Sequence, residues 1–423
     1  MTTDLHGPLS AYAERLHATI GDRHHVASPL GAWLLLAVTA ATTGAGQATD
    51  SDPAAGPATA AEGLAAALGT DLASAAKVAH ALLDAPHPLV TSATALWLRT
   101  RHLVDEPARW RAALPATTEV GTLPDQAGLD AWAREHTDGL IETFPLKVSP
   151  DVVFSLASAL ATRISWAEPF DVADARALGP DSSWTGLRQV LRSPDHGHRG
   201  AIVATEGSGD VIVHVARAQA SEGAGLVVLS VAAARHVPAA DVLATAYRLS
   251  AGAADGAQPA GRRSLFDLPL GETSLWTLRE ERVRTRARDG REERHQALLP
   301  CWSARSDHDL TAESLGFPAA AATLARALDQ PVQGFEARQV AMARYGRYGF
   351  EAAAVTGMFG TVSLPPEGVA RTAELRFGHP YAVVAVATDS RADGTSGPWH
   401  GVPVFSAWVS EPDDLPDAER CGR

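Results

Sequence analysis

Side chains that could do chemistry are few in this chain, and most of them stand alone. Cys301 and Cys421 are its two cysteines; so far apart, they read as free thiols, with no disulfide framework and no metal-ligand cluster. Asp195-His196-Gly197-His198 has metal-ligand residue types, but two histidines one residue apart beside a glycine read as an exposed loop. His24-His25 reads as a connecting turn. No Gly-x-Ser-x-Gly elbow, Gly-rich phosphate loop or His-Glu-x-x-His helix occurs, so enzymatic catalysis has no support, and neither a metal nor a cofactor is expected. The stretch with reactive potential offers its backbone. Gly349-Phe350-Glu351-Ala352-Ala353-Ala354-Val355-Thr356-Gly357 leads through a long segment to Pro365-Pro366, and then to Phe377-Gly378-His379-Pro380-Tyr381. A glycine hinge, small residues able to enter a sheet as a new strand, an exposed segment, a proline pair and a returning buried strand would together present a peptide bond and a strand.

The elements that must hold such a segment can be read along the chain. Leu9, Tyr12, Leu16 and Ile20 recur at helical spacing and open the chain with an amphipathic helix. Ser28-Pro29 caps a second helix: serine supplies an acceptor for free N–H groups, and proline takes the position whose missing N–H costs nothing. Gly44 to Ala61 turns to Gly, Pro, Thr, Asp and Ala and reads as a flexible surface insertion, with helix resuming at Glu62-Gly63-Leu64. Thr91 to Leu98 reads as a strand, and Leu129 to His136 as a helix stopped near Gly139. Val152 to Ala157, continuing through Ala159 and Leu160, shows no polar alternation. Such a run suits a strand buried on both faces at the centre of a sheet.

Composition sets the outer limits. The chain has 423 residues with 46% apolar, enough for one large domain with a sizeable core. A formal charge of −13 argues against nucleic acid. The one arginine-rich run, Arg279 to Arg294, is interleaved with Glu280, Glu281, Asp289, Glu292 and Glu293, and reads as a solvated, charge-paired surface. No stretch approaches the ~18 uninterrupted apolar residues that span a bilayer. The start, Met1-Thr2-Thr3-Asp4-Leu5-His6, shows no secretory signal, so the cytoplasm is expected, with an extracellular location as the alternative. Asparagine is absent, which excludes N-linked glycosylation, and Lys77 and Lys147 are the only lysines, a bias of the kind a GC-rich coding sequence produces. Trp33, Trp97, Trp132, Trp166 and Trp408 read as core or sheet residues.

In this order, these segments resemble the serpin family, in a bacterial-type form without a signal peptide. Ser28-Pro29-Leu30 resembles the start of the buried helix beneath the main serpin sheet. Leu129 through Ile141, with Trp132, Thr137 and Gly139, resembles the helix lying across that sheet. Val152 through Trp166, followed by Glu168-Pro169-Phe170-Asp171, is similar to the central strand after it. Leu298-Leu299-Pro300, Asp309-Leu310 and Leu315-Gly316-Phe317 resemble the segment joining smaller sheet strands to a helix, and Pro403 to Val409 the closing buried strand. Val172 to Arg291 matches only vaguely. The resemblance implies an α+β fold, one domain over 1–423 with eight or nine helices around three β-sheets. It also implies an exposed reactive-centre loop over 347–376 and a polar tail over 411–423.

It further implies a monomeric inhibitor of a serine or cysteine protease, a suicide substrate whose loop inserts into the main sheet once cut. Gly349, Phe350, Glu351, Ala352, Ala353, Ala354, Val355 and Thr356 would form the hinge, and Ser363-Leu364 the reactive bond. Ser28, Pro29, Ser158, Trp166 and Gln339 would form the gate and the place where the loop enters, with Ser158 and Gln339 standing where the family has a buried asparagine and histidine. A small residue at Ser363 fits an elastase- or subtilisin-like target; Met358-Phe359 offers a chymotrypsin-like cut on the hinge side, and Arg371 lies too far downstream. Phe350 departs from the pattern. It takes an inward-facing hinge position where inhibitory members carry a small residue, and overpacking there costs ~1–3 kcal/mol. Arg347 stands where the family commonly has glutamate. A serpin-fold protein kept for binding or structural duty is therefore the alternative.

Overall fold

The computed structural model describes residues 5–43, 57–99, 112–148, 152, 154–162, 164–221, 223–327, 335–349, 366–391 and 393–420. The chain begins with α1 (His6–Ile20), β1 (His25–Ala27), α2 (Pro29–Thr43), α3 (Pro57–Leu68), α4 (Leu72–Leu83), β2 (Thr91–Leu98), β3 (Glu119–Thr122), α5 (Gln126–Glu135) and β4 (Phe154–Ala161). The middle adds β5 (Asp171–Asp174), β6 (Gln189–Arg192), β7 (Arg199–Thr205), β8 (Gly209–Arg217), β9 (Ala224–Ala232), α6 (Ala239–Ser250), β10 (Gly271–Glu272), β11 (Trp276–Arg284), β12 (Arg291–Leu299) and β13 (Trp302–Asp309). It ends with α7 (Phe317–Ala327), β14 (Arg338–Tyr345), β15 (Glu367–Arg376), β16 (Tyr381–Asp389), β17 (Pro403–Val409) and α8 (Asp417–Arg420).

Local sequence accounts for the helix ends. Leu9, Tyr12 and Leu16 are buried along α1. At the start of α2, the Ser28 hydroxyl accepts from Gly31 N at 3.1 Å and donates to Val404 O at 2.9 Å, so the cap also ties the helix to β17. From Leu30 to Ala40 that helix is buried on every side, as a helix apolar all round must be. The helix α5 is capped by Asp125, whose carboxylate accepts from Gly128 N, and the chain turns away at Gly139 in the left-handed region. Helix α3 begins at Pro57, inside the span expected to be a flexible insertion; proline fits a first helical turn, and the alanines that follow are strong helix formers. Residues 44–56 lie outside the described ones.

The strands form two six-stranded sheets, ordered β1-β17-β16-β9-β8-β7 and β10-β11-β15-β12-β6-β5, and two smaller pieces, β3-β2-β4 and β13-β14. Strand β9 is buried at all nine positions between its neighbours in the first sheet. Four readings change. Among the described residues strand β4 lies at a sheet edge with β2 as its one ladder partner, Ala157, Ala159 and Ala161 being buried and Leu156, Ser158 and Leu160 half-buried. The expected loop over 347–376 ends earlier, because β15 pairs along its length with β11 and β12. Arg371 is therefore held in a sheet, donating to Glu280, Leu265 O and Leu268 O. The polar tail is docked: Leu415 is fully buried and Asp413 bridges Cys301.

The histidines supply the fourth change. His25 is fully buried in β1, where His17, eight residues earlier and one helix away, reaches it at 2.8 Å. His198 is held under Phe170, its ring 4.6 Å away, while His196 beside it stays exposed. The five named tryptophans are all buried. Among the described residues no helix is long and apolar enough to cross a membrane, and no cluster of His, Cys, Asp and Glu could hold a metal ion. Cys301 is buried and free, and Cys421 lies outside the described residues.

Candidate functional site

The two smaller pieces of sheet, β3-β2-β4 and β13-β14, converge on one turn of α2. From β4, the Ser158 hydroxyl donates to Gly31 O at 3.1 Å. From β14, the Gln339 amide brackets Ser28, its Oε1 accepting from Ser28 N at 2.9 Å and its Nε2 donating to Ser28 O at 2.7 Å. Ser28, Ser158 and Gln339 thus meet above the start of a buried helix, with Pro29 as its first residue. Yet no ladder joins β4 to β14 among the described residues. Among the described residues β4 ladders only with β2 and β14 only with β13, so each strand has one edge without a ladder, the kind of edge that accepts an added strand.

The chain leaves β14 through Gly346-Arg347-Tyr348-Gly349. Trp166 is buried to 2% and holds this segment twice: its indole Nε1 donates to Gly346 O at 2.9 Å, and its backbone N to Tyr348 O at 3.1 Å. The ring packs on Tyr345, 5.0 Å away, and on Phe170, 5.9 Å away. Arg347 forms a second tie. Its side chain donates to Phe170 O and Glu419 O, and its backbone N donates to the Glu419 carboxylate. An arginine here fixes the root of the loop to the C-terminal helix α8, whose Glu419 also pairs with Arg344.

Gly349 then bridges Ser165 in antiparallel register, so the chain has already turned alongside the continuation of β4. Its φ is +82°, and a Cβ built there would lie 2.4 Å from Ile164 O, a contact no other residue could make. Gly349→Ala is therefore expected to destabilise the loop root by about 1–3 kcal/mol, seen as a lower thermal midpoint. An unchanged midpoint would mean that the reversal at Gly349 is not fixed by this approach.

Of the expected site residues, the structure brings together Ser28, Pro29, Ser158 and Gln339 at one place, and Trp166 and Gly349 at the other. Phe350, Glu351, Ala352, Ala353, Ala354, Val355 and Thr356 of the hinge, and the Ser363-Leu364 bond, lie outside the described residues. Gly346, Arg347 and Glu419 were not read as a unit. Gly346 and Gly349, three positions apart in a Gly-Arg-Tyr-Gly stretch, carried a signal of close backbone approach, but Glu419 could not be foreseen from local sequence.

Beneath the site runs a buried polar chain. Tyr247 donates to Ser406 Oγ at 2.9 Å, Ser406 contacts His17 Nε2 at 2.8 Å, His17 Nδ1 contacts His25 Nε2, and His25 Nδ1 contacts Arg23 O at 2.8 Å. Since the Arg23 carbonyl must accept, each contact is satisfied when both histidines are neutral. Burial accordingly pushes the His17 pKa well below the ordinary imidazole value and His25 down to about 4. His308 of β13 donates to Val26 O and is likewise lowered by burial. His198 and His214 form a similar pair at 3.0 Å beside Phe170, both lowered by burial.

By sequence, no protein-family model and no curated protein matches the chain. By structure, it is similar to the thermophilic serpin Tengpin in its native state, with a TM-score of 0.61 and 13% identity over 97% of this chain and 95% of that one. It is also similar to Serpin48 of the insect Tenebrio molitor (TM-score 0.57, 14% identity, 97% and 98% covered). Human thyroxine-binding globulin complexed with thyroxine scores 0.57 at 14% identity, with 97% and 99% covered. Likeness at such identities establishes the fold and leaves the activity to the site.

Proposed function

We propose that this chain, which has the serpin fold, is a one-use inhibitor of a serine or cysteine protease. The protease nucleophile attacks the carbonyl of the Ser363-Leu364 bond, the amine of Leu364 leaves, and the hinge side of the cut loop enters the slot between β4 and β14 while still acylated. The observation that carries this reading is the pair of unjoined strand edges with Gly349 already turned alongside Ser165. If insertion carried that register on along β4, Ala353 would come opposite Ala161 and Gly360 opposite Phe154. Small residues such as Ala352, Ala353 and Ala354 cost little side-chain ordering when buried, which favours fast insertion. Metastability of the uncut state supplies the driving force, so the active form is held by kinetics.

One residue favours a second reading, in which the fold serves binding and the loop does not insert. Phe350 would add an aromatic ring to an inward position of the new strand, and slowed insertion lets the acyl group hydrolyse first. Thyroxine-binding globulin, of similar fold, is described in complex with thyroxine. Phe350→Thr decides between them. With subtilisin as the probe, the fraction of protease recovered as a covalent complex should rise severalfold in the variant; an equal fraction would remove the ring as the obstacle.

A further inference from the structure

Strand β11 and the turn after it place an arginine cluster at the downstream foot of the loop. The turn over 285–290 is bound to the place where the chain returns: Thr285 N donates to Pro366 O at 3.0 Å, and Val369 N to Gly290 O at 2.8 Å. A Cβ at Gly368 would lie 2.5 Å from both Gly290 O and Thr285 Cγ2, so the turn is seated closely against β15. Arg282, Arg284, Arg286, Arg288 and Arg291 are exposed around it.

The carboxylates of this face are largely engaged. Glu280 pairs with Arg371, Glu281 and Glu292 pair with Arg294, and Glu293 pairs with Arg262. Asp289 accepts from Arg291 N within its own turn, and Glu367 stands opposite Arg284 in register. Among the described residues Arg282, Arg286 and Arg288 have no acidic partner. The run is therefore largely paired along the strands, Arg282 excepted, and unpaired at the turn, beside the return of the chain at Pro366, in a chain whose net charge is −13.

We infer that the turn over 285–290, with Arg282, is a docking surface for the acidic rim of the protein that attacks the loop. The inference rests on the proposed function, since it takes a protease as the visitor. A protein surface of mixed charge fits better than a polyanion, because Asp289, Glu367 and the engaged glutamates would repel a uniform negative field, and so would the chain as a whole. Within a Debye length of about 8–10 Å the unpaired guanidinium groups outweigh the distant net charge, so local attraction governs the final approach.

Net charge and local patch predict opposite signs, which makes the test sharp. A subtilisin with Asp and Glu added around its substrate cleft is compared with its parent, and the bimolecular rate of attack on the loop is measured at low and at physiological salt. The acidified protease should attack faster, by about tenfold at low salt, with the gain lost in Arg286→Glu/Arg288→Glu and reduced by salt. Arg282→Glu alone should lose part of it. Equal rates, or slower attack by the acidified protease, overturn the inference. So does retention on a heparin resin that depends on Arg286 and Arg288 while the protease rates stay equal, which would assign the patch to a polyanion. The rate of attack is readable whether attack ends in trapping or in plain cleavage, so a failed trap does not imitate a failed docking surface. A loop that neither protease attacks overturns both.

Discussion

Replacing Trp166 by alanine is expected to cost about 3–5 kcal/mol of stability, measured as a lower urea midpoint, because a fully packed indole leaves a cavity that its neighbours cannot fill. The loss has two parts that a second variant separates. Trp166 packs against Tyr345 and Phe170, and its Nε1 satisfies the buried Gly346 carbonyl. Trp166→Phe keeps most of the packing and removes the hydrogen bond, so it should cost about 1–3 kcal/mol. The loop root should also become more accessible to proteases in the alanine variant, since Gly346 loses the indole that holds its carbonyl, while Tyr348 keeps its bond to the backbone N–H of residue 166. A variant as stable as the parent would mean that the root is held by Arg347 and Glu419 instead.

Acid should be the second large effect. Buried histidines whose folded pKa lies below the unfolded value of about 6.5 leave stability unaffected above that pH. As pH falls below it, the unfolded chain takes up protons that the folded chain refuses, and each such histidine costs about 1.4 kcal/mol per pH unit until its own folded pKa is reached. For His25 that limit is about 4, and burial lowers His17, His198, His214, His308 and His379 in the same direction. The hydrogen-bonded chain from Tyr247 to Arg23 explains the refusal, because a proton added between His17 and His25 sets two donors against each other. Stability should therefore be flat near pH 7.5 and fall by several kcal/mol by pH 5, before carboxylates protonate. A flat profile across that interval would show that the imidazoles are solvated or paired differently.

The sequence made some elements plain and concealed others for physical reasons. Strand β2 at Thr91–Leu98 and strand β17 at Pro403–Val409 were legible because β-branched and aromatic residues run between clear breaks. The cap at Ser28 was legible because Ser-Pro has one structural use. Strand β4 was misplaced to a sheet centre, since an apolar run reads the same with one ladder partner or two. Strand β11 was missed because alternating charge resembles a solvated loop; what makes it a strand is a ladder to β15, some 90 residues away in sequence. The burial of His25 depends on His308 and, through His17, on Ser406, and the tie of Arg347 depends on Glu419. None of these contacts leaves a local pattern.

The most direct measurement is the melting temperature before and after a single cut between Thr356 and Pro365 by a non-specific protease. If the slot between β4 and β14 accepts the freed hinge as a new strand, the cut protein should melt many degrees above the intact one, because two unpaired edges gain a full ladder. An unchanged or lower melting temperature would contradict insertion and leave the fold as a scaffold for binding.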